Sequence, residues 1–366
     1  MKYIKRRRNK SINIEDLLGR EPVCLDDKLI KENIKGKTVL VTGGGGSIGS
    51  QLCRQVMEFS PKRLVVLDIY ENNVYNLLRE FTELYPDVNI DAEIASVRDM
   101  ARMDEVFAKH RPNMVFHAAA HKHVPLMEAN PGEAVKNNVF GTYNTVVCAD
   151  KYGAEKFVFI STDKAVKPIS VLGATKRIGE MITEAIQEKS QTVFAAVRFG
   201  NVLGSAGSVV PQFIKQIESG GPVTVTHIDV TRFFMTTTEA VQLVLQATAY
   251  AQGGETFALD MGNPVRIYDL AKNMIEQYGY IPDKDIRIEF TGLRAGDKLF
   301  EELIEDGRIA EKTENRKISV MQNSGQSRLK DIDKGLEKLK EVISDNERVR
   351  QVLAEIVPEY DIKKKG

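Results

Sequence analysis

Residues 37–59 read KTVLVTGGGGSIGSQLCRQVMEF, a short β-branched run that ends in glycine and passes directly into apolar residues at helical spacing. A strand that turns on glycines into a helix constrains a chain strongly, because it fixes a βα unit and leaves the first backbone N–H groups of the helix without partners. Gly44, Gly46 and Gly49 satisfy G-x-G-x-x-G, while Gly43, Gly46 and Gly49 give G-x-x-G-x-x-G. Glycine at these positions lets the backbone turn sharply and approach a diphosphate held at the helix N-terminus. Gly43, Gly46, Ser47, Ile48 and Gly49 are therefore candidate cofactor contacts.

The strand and helix rhythm continues. RLVVLD, MVFHAA, KFVFIST and VFAAVRFG are strand-like, and ENNVYNLLREFTELY, AVKNNVFGTYNTVVCADKYG and TKRIGEMITEAIQE between them are helix-like. Short apolar strands alternating with amphipathic helices predict an α/β fold with a doubly wound parallel sheet of Rossmann type. After Asn201 the rhythm loosens into a smaller mixed α/β lobe. The expected division is a polar, irregular N-terminal arm at 1–35, a dinucleotide-binding Rossmann domain at 36–203 and a substrate-binding lobe at 204–325, with a charged helical tail at 326–366. One or more strands of the lobe are free to return to the main sheet.

Composition excludes several classes. With 51 basic and 51 acidic residues and 42% hydrophobic residues, the chain is neither a disordered polymer nor a general nucleic-acid binder. The basic cluster Lys5, Arg6, Arg7, Arg8 and Lys10 reads as a solvated arm, with contact to an acidic membrane surface as the alternative. Cys24, Cys53 and Cys148 have neither C-x-x-C spacing nor a zinc pattern, which fits a reducing compartment. No stretch is long and apolar enough for a membrane span, so a soluble, cytoplasmic protein is expected.

Asp68 ends the second strand, where a carboxylate can accept the adenosine ribose hydroxyls and would repel a 2′-phosphate, favouring NAD over NADP. Ser96 and Val97, in the SVRD segment after the third strand, join the candidate cofactor contacts, and Asp99 is either an adenine neighbour or a helix N-terminal acid. Ala118, Ala119 and Ala120 end the fourth strand with side chains small enough for a cofactor to pass. His117, His121 and His123 lack the further ligands a metal site needs, so hydrogen-bonding or substrate contact is expected and no metal, with Lys122 beside a charged ligand. The fifth strand delivers Ser161, Thr162, Asp163 and Lys164 at its carboxyl end, and Lys176 follows on the next helix. A hydroxyl, an acid and an amine in succession form a candidate catalytic group at the sheet edge where such folds bind ligands.

The strings TGGGGSIGS, HAAAHKHVPLME, STDKAVKP, GATKR, RFGNVLGSAGSVVP, TRFFMT and GLRAGDKL together carry a more specific likeness. Over roughly residues 14–321 the chain resembles the extended short-chain dehydrogenase/reductase branch of polysaccharide-biosynthesis nucleotide-sugar dehydratases, in particular the retaining UDP-N-acetylglucosamine 4,6-dehydratases. Large members of that family carry a membrane-spanning region ahead of this segment, and the chain is similar to their catalytic portion. Short-chain dehydrogenases usually have Tyr four residues before the helix lysine; here Leu172 stands four before Lys176. In the close relatives a methionine commonly fills this place and the Thr-Asp-Lys triplet does the acid/base work.

The resemblance implies an NAD-dependent enzyme that oxidises carbon 4 of a UDP-sugar, eliminates water across carbons 5 and 6, and returns the hydride to carbon 6. In that scheme Lys164 is the base at carbon 5, Asp163 the acid at the carbon 6 hydroxyl, and Thr162 a hydrogen-bond partner of the carbon 4 oxygen. Lys164 would need a lowered pKa, which Lys176 and oxidised nicotinamide would favour, and Asp163 a raised one. Asn201, Ser208, Val209 and Gln212 fall in the segment that contacts the nucleotide in similar proteins; Arg232 and Arg294 suit diphosphate clamps, and Glu301 a ribose hydroxyl. Two rivals share the motifs: a 4-epimerase, and a non-catalytic protein that keeps NAD as a sensing ligand. A homo-oligomer is expected through the helices at 134–152 and 175–188.

Overall fold

A computed structural model of the chain describes residues 25–305, 310–321 and 329–362. The basic cluster at residues 5–10 and Cys24 lie outside the described residues. The strands β1 (Thr38–Thr42), β2 (Arg63–Asp68), β3 (Asn89–Ile94), β4 (Met114–His117), β5 (Lys156–Ile160) and β6 (Val193–Arg198) stand side by side in the order 3-2-1-4-5-6, all parallel. Thr256–Leu259 continues the sheet in parallel beside β6, and the antiparallel strands Ile318–Met321 and Ala310–Lys312 complete nine.

Alternation along the strands decides which helices lie on which face. In β1, Leu40 joins a core with Met103, Phe107, Val146 and Ile178, while Val39 and Val41 join another with Leu52, Val56, Val74 and Val244. Register matters here, since a slip by one residue would exchange the two sets. Val41 sits opposite Val66 in β2 and Phe116 in β4, so β1 is buried on both faces and both edges. Chain order reverses direction between β1 and β4, and the carboxyl ends of these two strands open a crevice.

The second lobe has its own core, in which Val210 and Phe213 of the helix Val209–Glu218 meet Leu270 and Met274 of the helix Ile267–Gln277. Short strand pairs tie it together: Val223–Val225 with Ile288–Phe290, and Thr231–Arg232 with Val265–Arg266.

One expectation is corrected. The arm at 1–35 is not irregular throughout, because Asp27–Ile34 is a helix capped by Asp26, whose Oδ1 accepts the Leu29 N–H at 3.0 Å. Ile30 and Ile34 are four apart, so one face buries both, and the Asp26 N–H donates to Gln246 of the helix Thr237–Tyr250 at 2.7 Å. The helix Val171–Gln187, expected to meet a second copy, shares its core with Ile332, Leu336, Leu339, Val349 and Leu353 from the chain's own helices Leu329–Val342 and Asn346–Ile356. Its apolar stripe is thus used within the chain.

Candidate active site

The glycine turn is built for close approach. Gly43 has φ +67°, and a Cβ there would lie 2.6 Å from the Ala119 backbone nitrogen. A Cβ on Gly49 would lie 2.0 Å from the Gly43 carbonyl oxygen, so strand end and helix start can touch only through glycine. Gly46 caps the helix Ser47–Glu58 without a side-chain hydrogen bond, leaving the first helical N–H groups directed outward. Asp68 braces this turn: its Oδ2 accepts the Gly45 N–H and its Oδ1 the Tyr70 N–H, both at 2.9 Å.

From the turn a cleft of about 710 Å³ runs along the strand ends to the second lobe. Of the expected cofactor contacts, Gly43, Gly46, Ser47, Ile48, Gly49, Ala118, Ala120 and Lys176 line it. Asp68, Ser96, Val97 and Ala119 are not among its lining residues. Val97 is buried against Gly141, where a Cβ would meet its Cγ2 at 2.6 Å. Asp99 is a helix cap, accepting the Arg102 N–H at 3.1 Å.

Strand β5 delivers the triplet to the cleft unevenly. Thr162 and Lys164 line it, whereas Asp163 is wholly buried behind them. Asp163 Oδ1 accepts the Thr162 hydroxyl at 2.8 Å and the Lys164 ammonium at 2.9 Å, and its Oδ2 has no hydrogen-bond partner among the described residues. The acid expected to face the sugar directly thus meets the cleft through its two neighbours. Lys164 Nζ also lies 3.5 Å from Asn201 Oδ1 and 3.5 Å from Glu301 Oε1. Burial pushes the Lys164 pKa down, but the carboxylates of Asp163 and Glu301 outweigh it and hold the ammonium above its ordinary range. The expectation of a lowered Lys164 is not met, because the Asp163 and Glu301 carboxylates stand 2.9 and 3.5 Å from its ammonium.

Lys176 takes the opposite shift. It is buried, donates to the Ile160 carbonyl at 2.7 Å and lies 4.2 Å from the centre of the Phe159 ring, and burial brings its pKa to about 7 against a weaker pull from Glu180. Leu172, one helical turn earlier, faces the same cleft and can move no proton. His117 is buried between Thr42 and Thr142 at 2.7 and 3.0 Å, with its pKa driven to about 3 by burial and by Lys176, so it is a neutral strut between strands. His121 and Lys122 line the cleft, and Asn138 holds this loop by accepting the His121 N–H at 2.8 Å and donating to its carbonyl at 3.0 Å.

On the second lobe Asn201, Ser208, Val209, Gln212, Arg232 and Arg294 all line the cleft. Ser208 caps the helix Val209–Glu218, and its Oγ is buried without a partner among the described residues. Glu301 departs from expectation. It does not line the cleft but lies buried behind Lys164, with Arg232 Nε 3.9 Å and Lys298 Nζ 3.9 Å away. Two further residues escaped the sequence. Asp297 lines the cleft and accepts the Arg294 guanidinium at 2.8 Å, and the GLRAGDKL string was the signal that could have exposed it. Glu180 receives Ser161 Oγ at 2.6 Å and two Arg198 nitrogens at 2.7 Å each, tying the Lys176 helix to the ends of β5 and β6. A glutamate in a helical stripe of apolar residues was its only signal.

A family model described as polysaccharide biosynthesis protein matches residues 39–323. The chain belongs to this family. The capsular polysaccharide biosynthesis protein CapD of Staphylococcus aureus is 55% identical over 302 residues, covering 82% of this chain and 50% of CapD. The probable polysaccharide biosynthesis protein EpsC of Bacillus subtilis is 54% identical over 301 residues, again 82% of this chain and 50% of the relative. The chain therefore spans about half the length of these curated relatives. Among solved structures, Pen from Bacillus thuringiensis superposes with a TM-score of 0.74 at 36% identity, covering 81% of this chain and 92% of Pen. The extended short-chain dehydrogenase/reductase fold implied by the motifs is the fold of this family member. Among the described residues no helix is long and apolar enough to cross a membrane.

Proposed function

We propose that this chain is an NAD-dependent nucleotide-sugar 4,6-dehydratase of polysaccharide biosynthesis, with UDP-N-acetylglucosamine as substrate and a UDP-4-keto-6-deoxy-N-acetylhexosamine as product. The observation that carries the reading is the Lys164–Asp163 ion pair at 2.9 Å in a cleft where the usual tyrosine position holds Leu172. Amine and carboxyl, not a phenol, are the proton-moving groups present.

The glycine turn suits a dinucleotide, since a Cβ at Gly43 or Gly49 would fill the cradle and the helix start at Gly46 is uncapped. Bound NAD would supply the hydride acceptor for carbon 4 and, once reduced, the hydride donor for carbon 6. Ser47, Ile48, Ala118, Ala120 and Lys176 would hold and orient it, with Asp68 bracing the turn. Arg232 and Arg294 offer guanidinium donors to a diphosphate, and Asn201, Ser208 and Gln212 offer amide and hydroxyl groups to the nucleotide.

Lys164 takes the proton from carbon 5, which a carbon 4 ketone makes acidic. The carbon 6 hydroxyl leaves as water with a proton from Asp163, which the carboxylate takes from the carbon 4 hydroxyl through the bridging Thr162 hydroxyl during the oxidation and returns by the same route. Thr162 also stands where it can donate to the carbon 4 oxygen. Incubating the purified protein with UDP-N-acetylglucosamine and NAD, then weighing the sugar nucleotide by mass spectrometry, tests the proposal. Loss of one water is expected; an unchanged mass with a changed carbon 4 configuration would make it a 4-epimerase. Lys164→Ala is expected to bind NAD as before and to turn over nothing.

A further inference from the structure

Lys164 presents a chemical difficulty. A base needs a free lone pair, and this amine sits as an ammonium between two carboxylates that favour its charged form. Its proton must go to a group within reach before carbon 5 can be attacked. Asp163 cannot take it at that stage, because it then already carries the carbon 4 hydroxyl proton that it gives at carbon 6. Solvent can reach the amine only from the cleft, where its side chain is 20% exposed and where the sugar would stand during the reaction.

Glu301 remains. Its carboxyl is 7% exposed as a residue and does not line the cleft, so it touches neither sugar nor cofactor site. Oε1 faces Lys164 Nζ at 3.5 Å, and Oε2 is buried with no hydrogen-bond partner among the described residues. Lys298 Nζ lies 3.9 Å from that oxygen without a hydrogen bond, so burial of the charge is only partly offset and a proton placed on the carboxyl relieves it. The groups facing Glu301 are Lys164 and Asp163 from the triplet, Arg232 from the strand Thr231–Arg232 and Lys298 from its own loop. The cations are drawn partly elsewhere: Arg232 donates to the Thr231 carbonyl at 2.7 Å and Lys298 to the Val166 carbonyl at 2.7 Å. Burial, followed by the Asp163 charge, raises the Glu301 pKa against the pull of Lys164, in the direction a proton acceptor near neutral pH needs.

We propose that Glu301 is a positioning residue that receives the Lys164 proton, so that the amine stands neutral when carbon 5 is deprotonated. The idea rests on the reading of Lys164 as the base. In the transfer an N–H bond of the ammonium breaks and an O–H bond forms on Glu301 Oε1. The pair's opposite charges cancel, and the proton returns as the cycle closes. Because the proton moves inside the pair, the neutral amine forms without exchange with solvent, and turnover becomes insensitive to pH while the pair keeps its single proton.

The test is the kcat–pH profile of the full chain with NAD and UDP-N-acetylglucosamine. Wild type is expected to be level through neutral pH. In Glu301→Gln, which keeps the side chain's shape but accepts no proton, Lys164 must titrate to solvent. Its kcat should then climb about tenfold per pH unit below the amine's pKa, with KM changed less than about twofold. A Glu301→Gln profile parallel to wild type would reduce Glu301 to packing and overturn the proposal. A wild-type profile that itself rises tenfold per unit through neutral pH would overturn it without any variant. Lys164→Ala separates the two ideas: turnover retained there sinks the base assignment and this proposal together, whereas loss there with a parallel Glu301→Gln profile sinks only the proposal about Glu301.

Discussion

Two buried charge clusters flank the end of β5, and they are built to opposite rules. Around Glu180 the carboxylate is matched, though Arg177 Nε is buried without a partner among the described residues: both oxygens are taken by Arg198, Oε1 also accepts Ser161, and Oε2 also meets Arg177 at 3.2 Å. Around Lys164 the carboxylates are not. One oxygen of Asp163 and one of Glu301 are buried without hydrogen-bond partners among the described residues, though an ammonium lies beside each carboxyl. A matched cluster holds one protonation state and fixes geometry; an incompletely matched one keeps its protons easier to move. The first holds the Lys176 helix against the strand ends, and the second sits where the chemistry is proposed.

If that contrast is right, substitutions in the two clusters should fail differently. Arg198→Met has the largest expected effect on folding, because it strands a buried carboxylate: unfolding stability should drop by about 3–5 kcal/mol in a urea titration. A loss under 1 kcal/mol would erase the distinction. Asp163→Asn should do the reverse, lowering kcat by about a hundredfold or more while leaving the urea midpoint unchanged or higher, since a poorly solvated charge has been removed.

Acid should separate the clusters by a smaller margin. Arg198 and Ser161, against the cost of burial, hold the Glu180 pKa at about 2, down from 4.5. A depressed carboxyl pKa stabilises the fold fully above the unfolded value and loses that stabilisation as pH falls from about 4.5 toward 2. Urea midpoints at pH 5 and pH 3 should therefore differ more in wild type than in Arg198→Met. Smallest is Ser161→Ala, which removes one of four donors to Glu180 and should cost about 1 kcal/mol by the same titration.

What the sequence disclosed and what it hid divide along a physical line. The glycine turn, the apolar runs of β1, β2, β4, β5 and β6 and the Thr162-Asp163-Lys164 triplet were readable because each is local: a short apolar run, a period of 3.6, or adjacent residues, whereas the more polar β3 offered no such run. Asp68 was located correctly in the chain, yet its carboxylate braces the glycine turn at Gly45. The Glu180–Arg198 pair was invisible, as sheet register and helix packing alone bring together residues 18 apart on different elements. Glu301 was visible as a residue but not as a neighbour of Lys164, from which 137 positions separate it. The covered face of Val171–Gln187 was hidden for a similar reason: an amphipathic stripe does not say which partner will fill it, and the chain's own last helices do. The π-helical turn Val135–Phe140, which carries Asn138 to the His121 loop, left no periodic trace either.

The central claim is that Lys164 removes the carbon 5 proton during a dehydration, and turnover of UDP-N-acetylglucosamine in heavy water tests it most directly. The account predicts a product lighter by one water that carries one deuterium at carbon 5 by NMR, and no such product from Lys164→Ala. A product without deuterium at carbon 5, or the same labelled product from Lys164→Ala, would contradict it.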